Sequence, residues 1–330
     1  VRRDVDWLIA PDSFKGTYTA RQVAEAIARG ADGFAKLDIC PVADGGEGTL
    51  QIILDALDGA SVEERVHDPL GRVIPAPLGW SEDGSLAIVE TASASGLCLL
   101  APAERDAEAA TTFGTGQLIA AAVTAGATHV ALMAGGAAST DGGAGAIEAI
   151  EAAGGIGRAQ LTVIADVTTP FEHAAEVFGP QKGADAEAVL RLTVRLHEQA
   201  EALPHDPRGI PMSGAAGGLA GGLWAFYDAT IVPGAAWVLD TIGFDHRLER
   251  ASAVITGEGR LDAQTLEGKL VSEIARRCAR ASVPVHAVVG SSALSSAESM
   301  KLGLSSVREA SDLLELERAG HTLTTSARSI

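Results

Sequence analysis

The sequence predicts an α/β protein whose two chain ends build one parallel-sheet domain, with a second α/β domain inserted between them. Three observations carry this reading. Short apolar runs, each closed by a loop and followed by a helix-period segment, recur at both ends of the chain. The stretch 62–100 instead alternates apolar and polar residues, as a strand open to water on one face does. The 38 glycines gather in clusters between apolar runs instead of forming a low-complexity tract. The expected division is 1–65 with 245–330 against 66–244.

The elements follow in order. Trp7-Leu8-Ile9-Ala10 reads as a buried strand, followed by a loop and a helix carrying Val23, Ala24 and Ile27. Thr19 and Gln22 fit a capping box, and Gly30 stands where a helix end favours a left-handed residue. A strand over 37–42, a glycine loop at 44–48 and a helix with Leu50, Ile53, Leu54 and Leu57 repeat the succession. In the middle, Asp68-Pro69-Leu70-Gly71 and Asp83-Gly84 mark turns. A helix over 115–124, a strand over 129–133 and a strand over 161–167 come next. A long helix over 185–203 presents Val189, Leu192, Leu196 and Leu203 on one face, and the proline-rich stretch 204–211 ends it. Ala253-Val254-Ile255, a helix with Leu270 and Ile274, and an apolar run from Val283 to Val289 complete the first domain.

With 330 residues, 47% hydrophobic and 4% aromatic, the chain can bury a large core of Ala, Val, Ile and Leu. Lys and Arg number 25 against 43 Asp and Glu, a formal charge of −18, so neither nucleic acid nor an anionic membrane is an expected partner. Cys40, Cys98 and Cys278 lack metal-ligand spacing and read as small buried hydrophobes. No apolar stretch reaches the roughly 18 residues of a membrane span, and the first residues lack a secretory apolar region, so a cytoplasmic location is expected. Neither G-x-x-x-x-G-K-[ST] nor G-x-G-x-x-G occurs, and the histidines and serines show neither zinc nor nucleophile-elbow patterns.

What remains is a set of glycine loops bearing carboxylates. Asp44-Gly45-Gly46-Glu47-Gly48 and Asp141-Gly142-Gly143-Ala144-Gly145 share D-G-G-x-G spacing, and Gly257-Glu258-Gly259 echoes the first. Glycine beside a helix start lets backbone N–H groups converge on a phosphate or carboxylate, while the acidic members suit Mg²⁺. Any one loop reads equally well as a tight turn with a capping carboxylate; three together favour a site. Lysine usage adds to this. Only five lysines stand against 20 arginines, and Lys15, Lys182 and Lys269 each neighbour a glycine, as a compact ammonium facing phosphoryl oxygens would.

Several segments then form a recognisable set: Ile9-Ala10-Pro11-Asp12-Ser13-Phe14-Lys15-Gly16, Pro41-Val42-Ala43-Asp44-Gly45-Gly46-Glu47-Gly48-Thr49, the run from Gly135 to Gly145, Val177-Phe178-Gly179-Pro180-Gln181-Lys182-Gly183-Ala184, Gly214-Ala215-Ala216-Gly217-Gly218, and Val254-Ile255-Thr256-Gly257-Glu258-Gly259 with Asp262, Gln264-Thr265 and Gly268-Lys269. Together they resemble the bacterial glycerate kinase family, type I, over about residues 8 to 290. The resemblance implies a Rossmann-like domain joined to a second α/β domain with the active site in the cleft between them. It implies ATP- and Mg²⁺-dependent phosphorylation of D-glycerate, usually on the 2-hydroxyl. On that basis Lys15 and Ser13 are expected to bind glycerate or the transferring phosphate, and Asp44 with Glu47 to hold Mg²⁺ or activate the hydroxyl. Asp141 and Lys182 are expected from the second domain. Gly45, Gly46, Gly135, Gly136, Gly257 and Gly259 are expected against the nucleotide, and Glu258, Asp262 and Gln264 in the substrate or metal shell. Thr168-Thr169-Pro170-Phe171 departs from the family's usual Asn-Pro-Leu. A metal-dependent phosphatase and a non-catalytic anion sensor are the rival classes.

Overall fold

The apolar runs from the two chain ends meet in one parallel sheet. The computed structural model describes residues 3–326 apart from 15, 32, 34, 47, 264 and 266–268. It divides into two units, Val1–Asp44 with Val238–Ile330, and Gly45–Trp237. Along the chain, β1 (Val5–Pro11) and β2 (Leu37–Ile39) belong to the first unit. β3 (Ala60–His67), β4 (Val73–Trp80), β5 (Leu86–Glu90), β6 (His129–Met133), β7 (Gln160–Ala165) and β8 (Thr230–Pro233) belong to the second. β9 (Ala251–Gly257), β10 (Arg260–Leu261), β11 (Val285–Val289), β12 (Ser291–Ser292) and β13 (Leu304–Glu309) return to the first.

The first unit's sheet runs β13-β11-β9-β1-β2, every pair parallel. Its order reverses between β1 and β9, where successive strands leave in opposite directions and a crevice opens at their carboxyl ends. Trp7, Ile9, Ala253 and Ile255 form one core with Val23, Ala24 and Ile27 of the helix Ala20–Ala31 and with Leu316 and Leu323 of the helix Leu313–Ser326. The capping box is formed: the Thr19 amide donates to Gln22 Oε1 at 2.9 Å and the Gln22 amide to Thr19 Oγ1 at 3.2 Å.

Gly30 does not end that helix. It lies inside it, without a left-handed φ, and a Cβ there would overlap the carbonyl of Glu317. Gly320 stands likewise against the carbonyl of Ile27. Both glycines serve a backbone-to-backbone crossing of two helices, a tertiary demand that local spacing does not reveal.

The second unit's sheet runs β3-β4-β5-β6-β7-β8, antiparallel from β3 to β5 and parallel from β5 to β8. Val62 and Val73 stay exposed on the hairpin while Val66, Ala76 and Leu78 are buried, the alternation expected of a half-open strand pair. The chain helix Thr49–Ala56 packs on β4 and β5, with Leu50 and Leu54 against Gly79. This contact draws the division of the units to Asp44, earlier than position 65; the second junction falls at 237/238, before 244/245. The helix Phe113–Thr124 and the helix Leu219–Tyr227 cover the sheet through Leu118, Ile119, Leu219 and Leu223.

Asp185 caps the helix Ala186–Ala202 by accepting from the Ala188 amide at 2.8 Å. Its buried stripe is Ala188, Leu192, Leu196 and Ala200, packed on Phe171 and Ala175. Val189 and Leu203, expected on that face, sit at its margin. Among the described residues no helix is long and apolar enough to cross a membrane.

The helix crossing yields a test. Gly30→Ala and Gly320→Ala each force two backbones apart and are expected to cost about 1–3 kcal/mol in urea unfolding. The double variant is expected to cost less than the sum, because once the helices separate the second methyl finds room.

Candidate functional site

In the first unit a cavity of about 540 Å³ opens at the carboxyl ends of the parallel strands. Asp12 and Ser13 enter it after β1, Asp44 beyond β2, Glu258 and Gly259 after β9, Gly290 and Ser291 after β11, and Ser311 beyond β13. Asp262, Thr265 and Lys269 complete the lining from the segment before the helix Leu270–Ala281.

Local geometry explains the convergence. Pro11 ends β1, and the Asp12 amide continues the β1–β9 pairing by donating to the Gly257 carbonyl at 2.8 Å. Asp12 Oδ1 turns back to accept from the Ser13 amide at 2.6 Å. Gly257 must be glycine, since a Cβ there would overlap the Val288 carbonyl of the neighbouring strand. The Gly290 amide donates to the Glu258 carbonyl and the Ser291 amide to the Gly259 carbonyl, both at 3.1 Å, which fixes the turn that carries Glu258.

Four carboxylates share this lining: Asp12, Asp44, Glu258 and Asp262. Asp12 and Asp44 are buried, each 7% exposed. Burial pushes the Glu258 carboxyl up to about 7, the Thr265 hydroxyl and Lys269 oppose that rise, and the negative charges of Asp262 and Asp44 add to it. Thr265 Oγ1 donates to Glu258 Oε1 at 2.6 Å and accepts from the Asp262 amide at 3.2 Å. Arg260 Nε lies 3.4 Å from Asp262 Oδ2. A carboxyl that titrates near neutrality beside a lysine and several hydroxyls can receive a proton from an alcohol.

The expected residues divide between the two units. Ser13, Asp44, Glu258, Gly259 and Asp262 meet at the first-unit cavity, with Gly257 at its floor. Lys15, Glu47 and Gln264 lie outside the described residues. In the second unit Gly45, Gly46, Gly135 and Gly136 come together beyond the parallel strands: a Cβ on Gly135 would lie 3.1 Å from Gly46 Cα, and one on Gly45 2.8 Å from Ile164 Cγ2 of β7. The same neighbourhood holds Glu90, at the end of β5, whose Oε1 accepts from the Leu50 amide at 2.8 Å.

Asp141 is engaged as a cap. Its Oδ2 accepts from the Thr112 amide and hydroxyl at 2.8 Å each and from the Gly145 amide at 3.3 Å, and its Oδ1 from the Gly143 amide at 3.2 Å. Lys182 is buried, its Nζ donating to the Ser139 carbonyl at 2.5 Å. Burial pulls its pKa down to about 8 against the pull of Asp141. The sequence assigned no role to Asp12, Thr265 or Ser291, all in the lining. Asp12 and Thr265 stand within segments that carry the family resemblance, whereas Ser291 comes into place only through the fold.

Comparison with known proteins agrees with the fold. The model of the glycerate kinase family matches residues 7–154 and 151–328. A glycerate kinase of Halalkalibacterium halodurans is 39% identical over 86% of this chain and 85% of its own, and the glycerate 2-kinase of Escherichia coli strain K12 is 36% identical over 86% and 84%. A crystal structure of a provisionally named glycerate kinase 2 from Salmonella typhimurium LT2 superimposes with a TM-score of 0.86 at 32% identity, covering 98% of both chains. From the first strand to the last helix, the chain belongs to the glycerate kinase family.

Proposed function

We propose that this chain transfers the γ-phosphoryl group of ATP to the 2-hydroxyl of D-glycerate, giving 2-phosphoglycerate and ADP. One observation supports it most: a carboxyl held near neutral pKa, Glu258, in a cavity at the switch point of a parallel sheet with Lys269 in the same lining. In this reading the 2-oxygen attacks the γ-phosphorus and its proton passes to Glu258. The bond from the γ-phosphorus to the bridging β–γ oxygen breaks, ADP leaves, and Glu258 returns the proton to solvent. Lys269 offsets negative charge on the transferring group, and Ser13 and Ser291 offer hydroxyls to orient the acid. Lys15, from its place in the sequence, is assigned to the same anion.

The donor chemistry suits Mg²⁺. Asp12 and Asp44 are buried, hard oxygen donors on the cavity wall. Among the described residues no three ligating side chains cluster, as fits an ion completed by phosphate oxygens and water. Asp12 and Asp44, with Glu47, would hold it; bound, it would neutralise charge on the β- and γ-phosphate oxygens.

A ³¹P NMR time course with ATP, Mg²⁺ and D-glycerate, each omitted in turn, tests the reading. A new phosphomonoester signal that needs all three, split as a doublet by the single proton on C2, is expected. ATP that stays intact over hours would sink the proposal and move a phosphatase or a sensor ahead.

Two variants follow. Asp44→Asn is expected to lower kcat by about 100-fold or more with the fold retained, the scale of one electrostatic contact to the reacting group. Activity of the wild type is expected to rise with pH through about 7 as Glu258 loses its proton, and Glu258→Gln to lower kcat by roughly 10²–10⁴-fold and abolish that limb. Linkage gives the sign for stability. The folded carboxyl, raised from 4.5 to about 7, holds its proton more tightly than the unfolded one, so stability present below 4.5 is lost as pH rises through 7. Glu258→Gln should remove a loss of up to about 3 kcal/mol, measured as the difference between wild-type and variant unfolding curves at pH 5 and pH 8.

A further inference from the structure

Lys182 ends the single turn Pro180–Lys182 and is 3% exposed. Its ammonium donates to one acceptor, the Ser139 carbonyl. Among the described residues no carboxylate lies within ion-pair distance of it; the charge of Asp141 acts on it from farther off, and the centroid of the Phe178 ring lies 6.0 Å from Nζ. A buried ammonium without a counter-ion is costly. Ser139 and Thr140 beside it are 0% exposed, and neither Ser139 Oγ nor Thr140 Oγ1 has a hydrogen-bond partner. This turn thus carries two buried hydroxyls without a hydrogen-bond partner, next to a buried ammonium with a single acceptor, where native interiors normally leave almost no polar group unsatisfied.

The same turn is held rigidly from behind. Lys182 Nζ, Arg195 Nη2 and Gln199 Nε2 donate to the successive carbonyls of Ser139, Thr140 and Asp141 at 2.5, 2.6 and 3.0 Å. Arg195 and Gln199 lie one helical turn apart on the helix Ala186–Ala202, so one helix face supplies two of the three clamps. In a trans peptide the N–H points opposite to the C=O. Each of these carbonyls therefore sits opposite the next residue's amide, and the Gly142 amide donates to the Gly217 carbonyl at 3.1 Å.

We propose that Ser139, Thr140 and Lys182 form an oxyanion subsite in the second unit, taking a carboxylate or phosphoryl group of a reactant, with Arg195 and Gln199 as positioning residues that shape its turn. The subsite rests on the kinase reading only for which anion it holds. Its cover is the stretch Ala216–Gly218, with φ of 53, 69 and 91°. A Cβ on Gly217 would lie 2.9 Å from the Lys182 ammonium, so only glycine fits there. Ala216 is held in a left-handed conformation that disfavours side chains, and an anion reaches the ammonium when this turn moves aside.

Ser139→Ala and Thr140→Val remove the hydroxyls at nearly constant shape, and Lys182→Met removes the charge. If these groups serve a ligand and not the fold, the unliganded variants should melt at or above the wild-type temperature. The rise in melting temperature that D-glycerate, inorganic phosphate or ATP gives the wild type should shrink or vanish for one of them. The KM for that reactant should climb about tenfold or more, the scale of one lost charge-assisted hydrogen bond. A raised KM for D-glycerate with that for ATP unchanged assigns the carboxylate; the reverse assigns a phosphoryl group; either supports the subsite. Arg195→Met should raise the same KM, with Arg195→Lys recovering most of it at equal melting temperature. Melting several degrees below wild type in both hydroxyl variants, or wild-type KM values and ligand shifts in all, overturns the proposal. Absence of phosphoryl transfer by the wild type, with phosphate or D-glycerate still stabilising it but not the variants, would remove the kinase reading and leave the subsite standing.

Discussion

The pairing of β1 with β9 is the contact on which the first unit and its cavity depend. Ile9 stands opposite Ile255, Ala10 opposite Thr256 and Pro11 opposite Gly257. Thr256 Oγ1 donates to the Ala10 carbonyl at 3.0 Å, and the Asp12 amide to the Gly257 carbonyl. This register sets Asp12 and Glu258 side by side at the strand ends. A shift of β9 by one residue would turn Ile255 away from the face it shares with Ile9 and carry Glu258 away from the lining. The pair joins segments some 240 residues apart in sequence, a loop whose closure entropy grows only logarithmically with length, so an inserted unit costs little more than a long loop would.

One type of sequence signal led to two chemical outcomes. Asp141 and Glu258 both stand in glycine loops that follow a strand, and the sequence offers no reason to separate them. In the structure Asp141 is surrounded by amides and hydroxyls that satisfy both oxygens, whereas one side-chain donor, the Thr265 hydroxyl, accompanies the partial burial of Glu258. Desolvation disfavours the charged carboxylate in proportion to the donors missing from it. The carboxylate with many donors suits a cap, and the one with few suits proton transfer. Counting donors needs tertiary neighbours: Thr112 reaches Asp141 from another helix, and no spacing rule in the chain points to it.

What was legible followed from local physics. The strand runs at both ends and the Thr19–Gln22 box depend on neighbours a few residues away, and they were readable from the chain. Gly30 was misread because its reason is the carbonyl of Glu317, far along the chain, and the stripe of the helix Ala186–Ala202 keeps Leu192 and Leu196 but takes Ala188 and Ala200 in place of Val189 and Leu203, where it packs on Phe171 and Ala175. The junction near Asp44 depended on Leu50 and Leu54 choosing Gly79 as their floor, again a long-range fit. The segments that carry the family resemblance hold much of the cavity lining, Thr265 included, yet Ser291, Arg195 and Gln199 gained their places only through packing.

Charge poses the last constraint. A chain with a formal charge of −18 does not attract ATP or an organic acid by its overall field. At physiological ionic strength that field is screened beyond about 8 Å, so the groups within contact distance decide whether an anion binds. Lysine is scarce here, and where it is used it is placed with care: Lys269 in the first-unit cavity and Lys182 inside the second unit, each in a setting where water competes less for the ammonium. A desolvated ammonium attracts an anion more strongly than one on the surface, at a cost to the unliganded fold. On the reading proposed above, the few protected cations supply the attraction that the overall charge opposes.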